Sequence, residues 1–248
     1  MAHLKVRPFK TSRFQVLCLI DHMASLLYCV TQPEPTVSVT SGVCEGAVQS
    51  REMLGVRLYW SNVENPEACL GEAEALKKAA VEFHQVLREV LAVTTPIPFR
   101  FPTLFEREEI VEDQLASEQE RYREALARVG NALQYEVVGT WTEDKEADTA
   151  KPVSGREYLK RRQEATGRVA AVEGKLKSVT ADSVREWRGR QERKTHRWFA
   201  LVPRESREKF LASLRAAGGS EGIRLRLSGP WPPSEFVRPQ MEPRGERG

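Results

Sequence analysis

This sequence predicts an α+β fold in two domains, and three observations carry the prediction. Apolar residues recur at helical spacing in four separate segments. Short runs rich in β-branched and aromatic residues lie between them, bounded by Gly, Pro, Asn or Asp. The order in which these elements follow one another closes antiparallel sheets rather than a parallel core. At 248 residues the chain can hold one large domain or two small ones.

The first domain spans residues 23–130. "SLLYCV" (25–30) reads as a strand, and a "QPEP" loop follows. "GAVQS" (46–50) and "LGVRLYWS" (54–61) are two further strands. Residues 66–93 predict one helix, because Leu76, Ala80, Phe83, Leu87 and Val90 form a single apolar stripe. His84 lies beside that stripe and is expected to be partly buried. "PIPFRF" (96–101) reads as a strand. Thr103 and Glu106 then make a capping-box pattern before a long helix. That helix buries Val111, Leu115, Tyr122, Leu126 and Val129, and Gly130 stops it.

The second domain spans residues 131–237. "LQYEVVGTW" (133–141) is a strand, and the polar run 142–152 has no periodicity. Ser154 and Glu157 form a second capping box, so Ser154 is read as a cap rather than a nucleophile. The helix behind it shows Tyr158, Arg162, Ala165, Val169, Val172 and Leu176 on one face. Gly167 and Gly174 each weaken it by about 1 kcal/mol relative to alanine, so packing must hold it. "SVREWRG" and "THRWFALV" make a hairpin, and 205–217 a short helix. "GIRLRLSG" alternates Ile223, Leu225 and Leu227 with Arg224 and Arg226. Residues 131–228 thus read β-α-β-β-α-β. That is the ferredoxin-like plan: a four-stranded antiparallel sheet with both helices on one face. A Pro/Trp-rich segment, "SGPWPPSEFV" (228–237), follows. Proline fixes φ and pushes its predecessor to extended geometry. The segment is therefore expected to be a stiff ribbon, either a docking element or a lid over a core, with Trp231 buried. Residues 238–248 have too few apolar groups to order themselves.

The net charge of +3 resides in residues 1–22, where Lys5, Arg7, Lys10 and Arg13 face only Asp21. The rest of the chain is neutral, which argues against a general affinity for nucleic acid. Residues 1–22 read as a leader ahead of an alternative start at Met23. No apolar run approaches the ~20 residues of a membrane span. The four cysteines, Cys18, Cys29, Cys44 and Cys69, lack CxxC spacing and are expected to be free thiols of a reducing cytoplasm. His3, His22, His84 and His196 make no metal-ligand pair. The chain has no P-loop, dinucleotide turn, HExxH or nucleophile elbow. The sequence therefore predicts no catalytic site, no cofactor and no metal.

Two other function classes have a foothold. A ferredoxin-like sheet can bind RNA through aromatic residues on an open face. Here Trp187, Trp198 and Phe199 lie among Arg185, Arg188, Arg190, Arg193 and Arg197. No RNP1-like run accompanies them, so an RNA-binding module is the alternative reading. An enzyme using His84 near Arg100 is a third, and it requires a pocket with a carboxylate partner. The P-x-x-P of Pro230 and Pro233 is read as packing rather than as a polyproline ligand.

"LSGPWPPSEFV" (227–237) resembles the C-terminal signature of the gas vesicle protein F/L family. "FHQVLREVLAVTTPIPFRFPTLF" (83–105), "SGREYLKRR" (154–162) and "ALVPR" (200–204) resemble further family segments in the same order. The matching positions are Gly229, Pro230, Trp231, Pro232, Pro233, Phe236 and Val237, with His84, Phe99, Arg100, Phe101, Gly155, Arg156, Tyr158 and Leu159. Ser234-Glu235 and Pro102 depart from the family pattern. The resemblance implies a non-enzymatic accessory protein of gas vesicles in the cytoplasm. It would be a structural or assembly factor partnered by the shell protein and other vesicle proteins, not by nucleic acid or a membrane. On this reading the rigid "GPWPP" segment seals a domain or anchors it to a partner.

Overall fold

The computed structural model describes residues 23–105, 108–141, 154–192, 195–217 and 223–237. The expected leader, the polar run 142–152 and the tail 238–248 lie outside them, as does Cys18. The elements are β1 (Ala24–Thr31), β2 (Val48–Met53), β3 (Val56–Val63), α1 (Pro66–Leu70), α2 (Ala73–Val93), β4 (Ile97–Pro98), β5 (Leu104–Phe105), α3 (Glu108–Val129) and β6 (Ala132–Trp141). They continue with α4 (Gly155–Val179), β7 (Glu186–Glu192), β8 (Thr195–Pro203), α5 (Arg207–Ala217), β9 (Ile223–Trp231) and α6 (Ser234–Val237).

Two antiparallel sheets result. The first runs β2-β3-β1-β4, with β5 also on β1, and the second runs β7-β8-β6-β9. Strand β1 is buried along nearly its whole length. Its register slips between Leu27 and Cys29, so Tyr28 is an extra residue opposite Trp60-Tyr59. The bulge turns Tyr28 and Cys29 to the same face, where both join the core against α2. Leu27 and Val30 point the other way, into a core shared with α3.

That second core joins the two halves of the chain. It contains Val56 and Leu58 of the first sheet, Val111, Leu115, Leu126 and Val129 of α3, and Phe199 and Leu201 of the second sheet. On its far face the second sheet carries both of its helices. Phe210 of α5 packs on Tyr135 with ring centroids 5.1 Å apart. Val172 and Leu176 of α4 pack on Val137 and Trp198.

Several expectations change. The predicted helix 66–93 is two helices, because the α1 chain stops at Gly71 and α2 restarts after Glu72. Asn65 caps α1, accepting from the Ala68 amide at 3.0 Å. The strand expected at 96–101 shrinks to Ile97–Pro98. Thr103 is not a helix cap: its hydroxyl donates to the Arg100 carbonyl, and Leu104–Phe105 pairs with β1 before α3 begins. The cysteines are not all free. Cys44 and Cys69 form a disulfide with Cα atoms 6.2 Å apart. Folding brings a turn and α1 together across 25 residues, a pairing that local spacing does not report. Cys29 remains a free, buried thiol, and burial pushes its pKa far up.

Candidate functional site

The C-terminal signature is extended as far as Trp231 and helical from Ser234, and its tryptophan is not the buried residue. β9 runs on through Gly229, Pro230 and Trp231, with a register shift opposite Gln134–Glu136. Gly229 has φ +122°, and a Cβ there would stand 2.9 Å from the Gln134 carbonyl oxygen, so glycine is required twice over. Contrary to expectation, Trp231 is 44% exposed. Its indole donates to Ser228 Oγ at 3.3 Å, and Ser228 donates to Glu136 at 3.2 Å. The chain then folds into the single turn of α6 (Ser234–Val237).

The anchor is Phe236, which is fully buried in the core between the sheets. The Arg188 guanidinium lies 5.0 Å over its ring and donates to the Glu235 carbonyl at 2.6 Å. The Glu235 amide donates to Gln134 Oε1 at 3.0 Å, and Arg190 pairs with the Glu235 carboxylate at 2.9 Å. α6 touches both α3 and β4. The prolines thus deliver Phe236 into the seam between the two sheets.

The "PFRF" matches divide by alternation. Phe99 packs into the seam core, 6.0 Å from the Tyr122 ring, whereas Phe101 packs on Phe83 at 5.1 Å in the core under α2. Arg100 between them is exposed. His84 is also exposed rather than partly buried, because its position lies one step outside the α2 stripe. Among the described residues no hydrogen bond or ion pair joins His84 to Arg100.

"GREYL" opens α4. Ser154 caps it as expected, accepting from the Glu157 amide at 3.2 Å. Gly155, Arg156 and Leu159 are exposed, Leu159 at 58%; the Tyr158 side chain lies outside the description. A Cβ at Gly155, Gly167 or Gly174 would meet nothing within 4 Å. The later part of α4, from Val169, packs on the sheet. There Glu173 pairs with Lys177 at 2.7 Å. His196 stacks on Trp198 at 4.4 Å, and both its ring nitrogens are buried without a hydrogen-bond partner. Burial pulls the His196 pKa down, opposed by the nearby Glu173 carboxylate.

The RNA-binding alternative loses its platform. Trp198 and Phe199 are 0% and 5% exposed. Trp187 is half-buried and donates to Thr180. Arg190 lies over Phe199 at 5.3 Å, and Arg197 pairs with Glu136 at 2.5 Å. The aromatic residues are core because helices cover one face and α3 with α6 covers part of the other.

One residue carried more than its sequence revealed. Arg204 reaches across to α2, donating to the carbonyls of Leu91 and Thr94, each at 2.6 Å. It places a cation at a helix C-terminus, where carbonyls lack partners. Thr95 bonds the Ala132 backbone at 3.0 and 3.2 Å beside it. The partners are more than 100 residues apart, so no local pattern marks Arg204 beyond its place at the end of "ALVPR".

The model of a family described as gas vesicle synthesis protein GvpL/GvpF matches residues 24–238. Two solved structures are similar. The gas vesicle protein GvpF from Anabaena sp. PCC7120 is 17% identical, with 88% of this chain and 97% of that one covered at a TM-score of 0.66. GvpF from Microcystis aeruginosa is 18% identical, with 87% and 99% covered at a TM-score of 0.65. At such identities the likeness shows the fold. No curated protein sequence matches the chain.

Proposed function

Because the chain belongs to the gas vesicle synthesis GvpL/GvpF family, we propose that it is a non-enzymatic accessory protein of gas vesicles. It serves their formation and associates with the shell protein in the cytoplasm. The family match across residues 24–238 carries this reading. Shell subunits must be apolar on the gas side, so unassembled ones expose patches prone to aggregation. A partner that covers or positions such patches has an evident physical use. No helix among the described residues is long and apolar enough to cross a membrane.

The finer architecture belongs to the same proposal. Residues 23–130 form one domain and 131–237 a ferredoxin-like second. The strand order β9-β6-β8-β7, all antiparallel with α4 and α5 on one face, supports the second assignment. In this reading the signature positions are structural where they enter the seam and available for contact where they stand exposed. The test is co-purification with the shell subunit at low and high salt, together with gene deletion in a vesicle-forming host. Binding through apolar contact survives raised salt. Normal vesicles in the deletion strain, with no shell protein retained at either salt, would sink the proposal.

A further inference from the structure

β9 is the edge strand of the second sheet: β6 lies on one side, and no described element pairs with the other. In an antiparallel ladder every second residue turns its N–H and C=O away from its partner strand. From Ile223 to Ser228 the outer edge therefore presents backbone groups that no described strand pairs. Pro230 has no N–H and ends the usable stretch.

The side chains along this edge are sorted by face. Arg226 is opposite Val138 and Arg224 opposite Thr140, which puts both arginines on the α3 side of the sheet. Both are exposed, and neither makes an ion pair with a described residue. On the other face Leu225 packs partly against the α4 core, and Leu227 is 40% exposed.

We propose that the outer edge of β9 is a docking site for an extended segment of a partner protein that alternates acidic with apolar residues. Such a segment would add a strand to the sheet by main-chain hydrogen bonds. Its period of two would set carboxylates beside Arg224 and Arg226 on one face and apolar side chains beside Leu225 and Leu227 on the other. A second copy does not fit, because antiparallel β9–β9 pairing sets arginine against arginine. Nucleic acid fits less well, since Glu136 and Glu235 lie on the arginine face and Tyr135, Trp198 and Phe199 are buried. The site stands independently of the gas vesicle reading.

The experiment uses the full chain and a short fluorescent peptide of alternating valine and glutamate, read by anisotropy and by hydrogen exchange at residues 223–228. Binding with protection of those amides is expected. A valine–lysine peptide, a scrambled valine–glutamate peptide, and one N-methylated at alternate residues should each bind about tenfold more weakly or worse. The double variant Arg224→Glu/Arg226→Glu should prefer the lysine peptide. Absence of binding overturns the proposal and leaves the arginines as guards against edge pairing. Binding that ignores N-methylation, or that a single-stranded RNA oligonucleotide displaces, overturns it too.

Discussion

Phe236 and Leu159 are both apolar residues in family-matching segments, yet Phe236 is fully buried and Leu159 is 58% exposed. Phe236 follows three prolines and enters a core that two sheets and α3 already share. Leu159 stands exposed on the first turns of a helix that packs on the sheet through Val169, Val172 and Leu176, further along. A family signature can therefore mark packing at one place and an open surface at another. Burial separates them, and residue type does not.

The hardest blow to this contrast would come from Phe236→Ala. Removing a buried phenyl ring typically costs about 3–5 kcal/mol, so denaturant melts should show a much lower midpoint. An unchanged midpoint would mean that α6 is not a clamp. Arg204→Met should come next. It strips the last carbonyls of α2 of their donor, which typically costs about 1–3 kcal/mol. Hydrogen exchange should rise at residues 90–95 before it rises elsewhere.

Trp231→Ala should lower stability by less than about 1 kcal/mol, because an exposed ring loses little on truncation. A loss as large as that of Phe236→Ala would return Trp231 to the core. His196 reports on the anchored end of α4. Its pKa is depressed in the folded state, so its contribution is fully present above the ordinary histidine value of 6.5 and is lost as pH falls below it. Melts between neutral pH and about pH 5 should show that slope, and His196→Gln should flatten it. The smallest effect belongs to Leu159→Ser, which should leave stability within about 0.5 kcal/mol of the parent. If the start of α4 contacts the shell protein, the same variant should reduce co-purification.

Much of the fold was legible in the sequence because it rests on local periodicity. The stripe Val111, Leu115, Tyr122, Leu126 and Val129 announced α3 and its buried face. Ser154 and Glu157 announced the start of α4, and the hairpin from Glu186 to Pro203 followed from two β-rich runs around a charged turn. The ordered matches at 83–105, 154–162 and 227–237 pointed to the family. The candidate site was harder. The proline ribbon was expected to bury the larger ring, but the backbone turn at Gly229 aims Trp231 outward and leaves Phe236 for the core.

What the sequence determined by itself was therefore element type, order and family, since these depend on neighbours a few residues apart. Tertiary structure decided which signature residues are sealed and which are offered. It also decided that Cys44 meets Cys69, and that Arg204 caps a helix from the opposite half of the chain. Those outcomes depend on groups brought together from tens to more than a hundred residues away. Only the packed arrangement of sheets and helices fixes such distances, so no local pattern of residues encodes them.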